Sequence, residues 1–461
     1  MAISFNPSGL LSGSGIDVGT VVSQLINAKS APLQLMQKEQ SDLQAQATAL
    51  TNIKTDLNGL ASAVAVLTNT LGPITAQAVT SSNPDVVTGS AQSSAAAGAH
   101  TIVVNNLATN SSYYTNSVAA NSTLSAGHFT LKVGTGDPVT FNISGSNVTL
   151  TTLANSINQQ NLGVTASVIN DANGQRLSIV STSSGAPGDL SITGDTTGLG
   201  FTKGTTGTNA SLTVDGIPIS STTNTVTNAI PGVTLNLLNA APGTQVKLSV
   251  GADTQQSSTA INNFVSAYNK IIEDINQQFT VDPTTNSEGI LGSDSSLRSL
   301  QSSLLSDVTY AITGNNGLVN LASLGINMND DGTLTVDNTQ LNNALSTNSA
   351  AVQNFFQNAS QTGFANNFNK DLLNLTDPTQ GIIGLDLTQN SAEQAGLTNQ
   401  INDFQARLLM QQQQLINQYS TINALLEQYP LLLQAITAQL GGAATSASNT
   451  SGNAGATAQV S

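Results

Sequence analysis

The chain has no cysteine and no tryptophan. No disulfide and no thiolate zinc site can form. An extracellular protein can do without cysteine if it travels unfolded through a narrow export channel. Charge is also scarce: Asp, Glu, Lys and Arg make up 8% of 461 residues, against about 25% in ordinary soluble domains. The bases number 11 against 26 acids, for a formal charge of −15. Nucleic acid and anionic membrane surfaces are therefore disfavoured partners, because both need clustered Lys and Arg. The first basic residue is Lys29 and no long apolar core precedes it, so a cleaved Sec signal is not expected. No unbroken apolar run approaches the roughly 18 residues of a membrane span, and no membrane insertion is expected. Ser, Thr, Asn, Gln and Gly supply the polarity instead. Such an uncharged polar surface suits close contact among identical subunits, where like charges would repel.

Chemistry-bearing motifs are equally scarce. His100 and His128 are the only histidines, and neither lies in a His-Glu-x-x-His metal pattern. There is no Gly-x-Ser-x-Gly nucleophile elbow and no phosphate-binding Walker loop. Asn327, Asn329, Asp331 and Gly332 imitate the start of a calcium-binding loop. The twelfth position, however, holds Asn338 rather than a bidentate Glu, so a hairpin turn is the reading. No catalytic residue, metal site or cofactor is expected, and no enzymatic activity.

What the chain has is a seven-residue apolar repeat at each end. Met36, Leu43, Leu50, Leu57, Val64 and Leu71 are spaced seven apart, with Ile53, Leu60 and Leu67 as a second seam. Near the other end Ile401, Leu408, Leu415, Ile422, Tyr429 and Ile436 repeat in the same way, seconded by Phe404, Leu425 and Leu432. Tyr419, Leu426, Leu433 and Leu440 add a third line. A strict heptad keeps one stripe of a helix against partner helices, and three apolar positions per heptad favour packing among several. Gln400, Gln405, Gln412, Gln414 and Gln428 stand where pairing charges usually do, so charge does not set partner choice. Pro430 is expected to kink or break the last helix near Tyr429. Two readings of the seams stay open and are compatible. One is an intramolecular helical hairpin that completes a domain core, the other docking to neighbouring subunits. We take Met36, Leu43, Leu50, Leu57, Val64, Leu71, Ile401, Leu408, Leu415, Ile422, Leu425, Leu432 and Ile436 as the candidate assembly interface.

Between the seams the period changes. The N-terminal helical pattern runs from Thr20 to Leu71, irregular at Ser30-Ala31-Pro32, and stops at Gly72-Pro73. Stretches such as 101–104, 129–133, 139–143, 164–169 and 176–181 alternate as strands, with a helix at 149–160. Asn173-Gly174 and Asp215-Gly216 are hairpin turns. Helical periodicity resumes at 251 with Ile261, Phe264, Val265, Tyr268, Ile271, Ile272, Ile275 and Phe279, then Leu297 to Ile312 behind a Ser293 or Asp294 cap. Gly381 and Gly384 mark a looser stretch. The expected fold is α+β multidomain, with terminal coiled-coil segments, a helical leg domain and two β-rich head domains, one inserted in the other. The boundaries are a flexible start and coil over 1–72, a head domain over 73–107 and 206–250, and an inserted head domain over 108–205. A leg over 251–385, a coil over 386–440 and a disordered tail over 441–461 complete the chain.

Ordered motifs along this plan carry a resemblance. Gly13-Ser14-Gly15-Ile16-Asp17, Val21-Val22-Ser23-Gln24-Leu25 and Ala31-Pro32 open it. Val164-Thr165-Ala166-Ser167-Val168 leading to Arg176-Leu177 follows, then Val214-Asp215-Gly216 with Ile230-Pro231-Gly232-Val233-Thr234-Leu235. Phe264-Val265-Ser266-Ala267-Tyr268-Asn269, Leu291-Gly292-Ser293-Asp294, and Leu324-Gly325-Ile326 with Asp331-Gly332-Thr333-Leu334 close it. In this order they resemble bacterial flagellar filament-capping proteins, also called flagellar hook-associated protein 2. The resemblance implies secretion through the flagellar type III export route and an extracellular place at the filament tip. It implies a homo-oligomeric, pentamer-like ring that retains exported flagellin and promotes its folding and insertion. The implied partners are flagellin, the hook-filament junction protein and a cytoplasmic export chaperone. Alternatives are another axial or junction component, or a tip adhesin that binds host glycans or mucin through the β-rich head.

Overall fold

A computed structural model describes residues 17–448 apart from Ser146 and Thr285. The expected flexible start up to residue 16, and residues 449–461 of the expected tail, lie outside the described residues. The fold is α+β and multidomain. Contact density divides the chain into two compact units: 1–58 with 273–302 and 374–461, and 59–272 with 303–373.

Helix α1 (Val18–Lys29) starts at Asp17, whose carboxylate accepts the Thr20 N–H at 3.1 Å. Its pKa is lowered by the Thr20 hydroxyl and backbone hydrogen bonds. Helix α2 (Ala31–Thr68) follows after Ser30 alone. Pro32 falls in its first turn, where a missing N–H breaks no intrahelical bond. Leu50, Ile53, Leu57, Leu60, Val64 and Leu67 are all buried, so the seam is a core stripe. Leu71 is a correction to the expected seam: α2 ends at Thr68 and Leu71 is exposed. Asn69 ends the helix by accepting the Leu71 N–H on its side chain and the Gly72 N–H on its carbonyl, both at 2.9 Å.

The strands build two β modules. They are β1 (Gln77–Ser81), β2 (Val87–Ala91), β3 (Gly98–Asn106), β4 (Asn110–Tyr114), β5 (Gly127–Val133) and β6 (Val139–Ile143). After helix α3 (Leu150–Gln159) come β7 (Val164–Asp171), β8 (Gly174–Ser184), β9 (Leu190–Thr193), β10 (Thr202–Thr205), β11 (Ala210–Val214), β12 (Ile217–Ser221), β13 (Thr225–Ile230), β14 (Val233–Leu237) and β15 (Val246–Ala252). An antiparallel sheet β1-β15-β3-β11-β12 and a sheet β13-β14-β2 enclose one core, with Ile102, Val104, Leu212, Leu235 and Leu248 at its centre. Sheets β10-β4-β8-β7 and β6-β5-β9, with α3, enclose another around Phe129, Leu153, Ile157, Leu177 and Ile179. The chain leaves the first core after β3 and re-enters it at β11. α3 carries a capping box, Thr149 and Thr152 each bonding the other's backbone N–H.

The turns show why these strands meet in this register. Asp215 (φ 51°) and Gly216 (φ 82°) take the left-handed conformations that a two-residue hairpin loop requires. The β7–β8 turn differs from expectation. Asp171 pairs with Gly174, so the loop residues are Ala172 and Asn173. Gly174 has φ 141°, and a Cβ there would lie 2.2 Å from the Val118 carbonyl oxygen. Close backbone approach, rather than loop geometry, demands this glycine.

Helix α4 (Thr254–Phe279) and helix α5 (Ser295–Val308) begin the second helical region. Asp294 caps α5, its carboxylate accepting the Ser296 N–H at 2.8 Å. The expected face reached Ile312, but α5 stops at Val308, and the Ile312 N–H donates to the Val319 carbonyl. Then follow hairpin β16 (Ile326–Met328) and β17 (Leu334–Val336), and helices α6 (Asn338–Thr347), α7 (Ser349–Phe356) and α8 (Phe364–Leu375). Asp331 accepts the Thr333 N–H at 2.9 Å within the hairpin, as a turn residue does. Phe264 meets Phe364 and Phe368 edge-on at 5.7 and 5.8 Å, and Phe355 stacks on Phe364 at 5.4 Å. Asn269 ties the hairpin to α4: its amide donates to the Leu334 carbonyl at 2.8 Å and accepts the Leu334 N–H at 2.7 Å.

Helix α9 (Ile382–Ser448) follows α8. Gly384 lies within its first turn rather than in a loose stretch. The expected break at Pro430 is not found, since the helix runs through it to Ser448. Proline there removes one backbone donor and costs about 3 kcal/mol. Leu, Gln and Ala on both sides are strong helix formers, and the flanking Tyr429 and Leu431 are exposed. The helix also extends past Leu440, into the segment expected to be disordered.

Candidate assembly surface

The helical unit holding 374–461 and 1–58 contains most of the candidate interface. α9 runs antiparallel to α2 and α1: Gln40 donates to Thr398 at 2.9 Å, and Lys29 to Gln411 at 3.4 Å. Asn390 and Gln394 donate to the Leu43 carbonyl at 3.1 and 3.3 Å. Apart from Lys29 these side chains are uncharged, and none of them is among the flanking Gln400, Gln405, Gln412, Gln414 and Gln428. They fix register by hydrogen bonds where an ordinary coil would use ion pairs.

The apolar stripe of α9 then changes character along its length. Ile401 and Leu408 are 6% and 8% exposed, packed into the hairpin. Met36, Leu43 and Leu415 are half-buried. From Ile422 onward the same heptad faces outward: Leu425 is 60% and Leu432 61% exposed, and Ile422, Tyr429, Leu433 and Ile436 are exposed with them. Leu50 and Leu57 lie in the buried stripe of α2, as does Val64 in the other unit. The structure thus brings Leu43 and Leu50 together with the 390–411 part of α9. No described residue covers Ile422, Leu425, Leu432 or Ile436. After Arg407 the only charged residue on α9 is Glu427, so nothing in that stretch opposes close approach of a like helix. Arg407 lies over the Phe404 ring at 5.5 Å.

One helix stretch, Ala31–Thr75, is apolar enough on average to cross a membrane. Along it Leu50, Ile53, Leu57, Leu60, Val64 and Leu67 are buried in the core stripe of α2, while Leu35, Val66 and Leu71 are exposed. Among the described residues no group of three or more His, Asp or Glu could hold a metal ion. His100 on β3 lies 2.8 Å from Asp215 in the β11–β12 turn, and His128 lies 3.1 Å from the Thr196 hydroxyl. Asp215, bonded by His100 and the Thr101 N–H, has a lowered pKa. Arg176 bonds the Asp171 carboxylate and holds its pKa at about 2.

Sequence reasoning missed two kinds of polar residue. The first is Asp307, 6% exposed on α5 between buried Leu304 and Val308. Burial, and then Asp371, push its pKa up to about 8. Its Oδ2 and the buried Tyr268 hydroxyl have no hydrogen-bond partner among the described residues, and burial, then the Asp307 charge, raises the tyrosine. The second is the set of asparagines that bond both polar groups of one backbone residue. Asn269 on Leu334 is one and Asn158 on Ala166 another, the latter at 2.7 and 2.8 Å. Nothing in an asparagine-rich sequence singles these out.

The region from β5 into β8 matches the flagellin hook IN motif over residues 128–183. This module is thus one shared with flagellar proteins. On either side, family models for the flagellar hook-associated protein 2 N-terminus and C-terminus match residues 14–111 and 207–430. The chain belongs to the flagellar hook-associated protein 2 family. The B-type flagellar hook-associated protein 2 of Pseudomonas aeruginosa is 29% identical over 474 residues, covering 93% of this chain and 98% of that protein. Flagellar hook-associated protein 2 of Escherichia coli K12 is 27% identical over 373 residues, covering 75% and 79%. Among solved structures, the D1-D2-D3 domains of the flagellar cap protein FliD from Escherichia coli superpose with a TM-score of 0.57 at 28% identity. That match covers 74% of this chain and 99% of that one.

Proposed function

We propose that this chain caps the distal end of the flagellar filament as a homo-oligomeric ring, retaining exported flagellin and promoting its folding and insertion. The observation that carries this reading is the α9 stripe, whose heptad passes from a buried intramolecular hairpin into an exposed apolar face at Ile422. A face of that length calls for helices from outside the chain. Neighbouring copies and flagellin or junction-protein helices at the filament end are the occupants this function supplies. The β modules over 73–250 form the plate, and the helical region 251–385 with the terminal helices forms the legs. Flagellin arrives beneath the plate, and the cap shifts to open the next site. The chain would reach the tip through the flagellar export channel, delivered by a cytoplasmic chaperone, and work outside the cell. The role is structural, with no catalysed reaction.

The test is a strain lacking the gene, examined by electron microscopy and by assaying flagellin in the medium. Hooks without filaments, together with unpolymerised flagellin outside the cells, are expected. Normal filaments would overturn the reading.

A further inference from the structure

Two chain crossings join the β modules, 107–109 between β3 and β4 and 206–209 between β10 and β11. Two short crossings alone would make a hinge. Here they are bonded to one another. The Thr109 N–H donates to the Thr208 carbonyl at 3.0 Å, and the Thr109 hydroxyl donates to the Thr206 carbonyl at 2.7 Å. These bonds bridge the ladder that pairs β3 with β11 and the ladder that pairs β4 with β10. The two crossings therefore act as one paired ribbon.

Two asparagines bolt that ribbon at its ends. Asn224, of the first module, accepts the Ala108 N–H at 2.7 Å and donates to the Ala108 carbonyl at 3.0 Å. Asn209 spans both modules: its Oδ1 accepts the Ala186 N–H at 2.8 Å, and its Nδ2 donates to the Ser220 hydroxyl at 3.1 Å. Beside it the Ser184 hydroxyl donates to the Thr222 carbonyl at 2.8 Å. The fit is close. A Cβ on Gly185 would come within 2.7 Å of both Asn209 Oδ1 and the Thr222 carbonyl oxygen. An amide held at both ends fixes an angle as well as a distance, because both its donor and its acceptor are directional.

We propose that the two β modules form a single rigid body, with Asn209 and Asn224 as the positioning residues that hold their mutual angle. This deepens the cap reading, since a plate that shifts under arriving subunits transmits force without bending. The rigidity is nonetheless a property of the free chain. Its failure and the failure of capping are separately visible.

The chain has no cysteine, so two introduced ones label cleanly. Nitroxides at Thr135→Cys in the second module and Gln245→Cys in the first, in the full-length protein, report the intermodule distance by pulsed dipolar spectroscopy. The otherwise unchanged chain should give one narrow distribution. Asn209→Ala with Asn224→Ala should at least double its width, with circular dichroism unchanged. If the double variant does not fold, Ser184→Ala removes one bond and must still widen the distribution measurably. A broad distribution without these changes, or an unaltered width in the variants, would overturn the proposal.

Discussion

The stripe of α2 and the stripe of α9 are written in the same heptad and end in different surroundings. On α2 the positions from Leu50 to Leu67 are sealed in cores. On α9 the sealed part ends near Leu408, and from Ile422 the same spacing points at solvent. The difference lies in supply of partners. α2 is 38 residues long and α9 is 67, so α9 has more apolar stripe than the hairpin can cover. Periodicity states which residues share a face; the helices packed against that face decide whether it is a core or a surface awaiting one.

Substitution can break this comparison. The largest effect is expected at Leu60: Leu60→Ala should cost about 2–5 kcal/mol of stability in urea unfolding. A smaller loss at Leu60 than at Leu432 would dissolve the contrast. Next is Asn269→Ala, which strips Leu334 of both partners and should cost about 1–3 kcal/mol in the same measurement. An unchanged midpoint would mean that water replaces the amide freely.

Asp307 sharpens the buried side further. Its folded pKa of about 8 exceeds the usual 3.8, so the folded state holds a proton that the unfolded state has lost between those values. Stability from this group is therefore full below about pH 4, falls as pH rises towards 8, and is flat beyond. Asp307→Asn should flatten that slope in urea titrations at pH 5, 6, 7 and 8; an unaltered slope would assign it elsewhere. Removing the α5 cap by Asp294→Ala should cost about 1 kcal/mol. Smallest is Leu432→Ala, within about 0.5 kcal/mol of the unchanged chain, because the free chain loses no packing there.

Much of this was legible because it rests on local rules. The heptads, the joint before Pro32, the Asp294 cap and the Asp215-Gly216 hairpin each follow from residues a few positions apart. Leu71 and Pro430 show where such rules mislead. Leu71 continues the spacing but follows the Asn69 stop, and Pro430 breaks a rule that its helix-forming neighbours outweigh. The Asn269, Asn209 and Asn224 bonds depend on residues far apart in the chain. An asparagine that clamps a distant backbone looks like any other. Asp307 was hidden similarly, since an acid beside buried leucines on a helix ordinarily sits at the solvent edge.

The most direct test of the central claim is a strain whose only copy of the gene carries Ile422→Ser, Leu425→Ser, Leu432→Ser and Ile436→Ser, its filaments measured by electron microscopy. These changes leave the free fold intact and remove the exposed stripe. The account predicts protein secreted at the parental level, hooks without filaments, and flagellin shed into the medium. Filaments of parental length would show that the α9 stripe is not the surface on which the assembly is built.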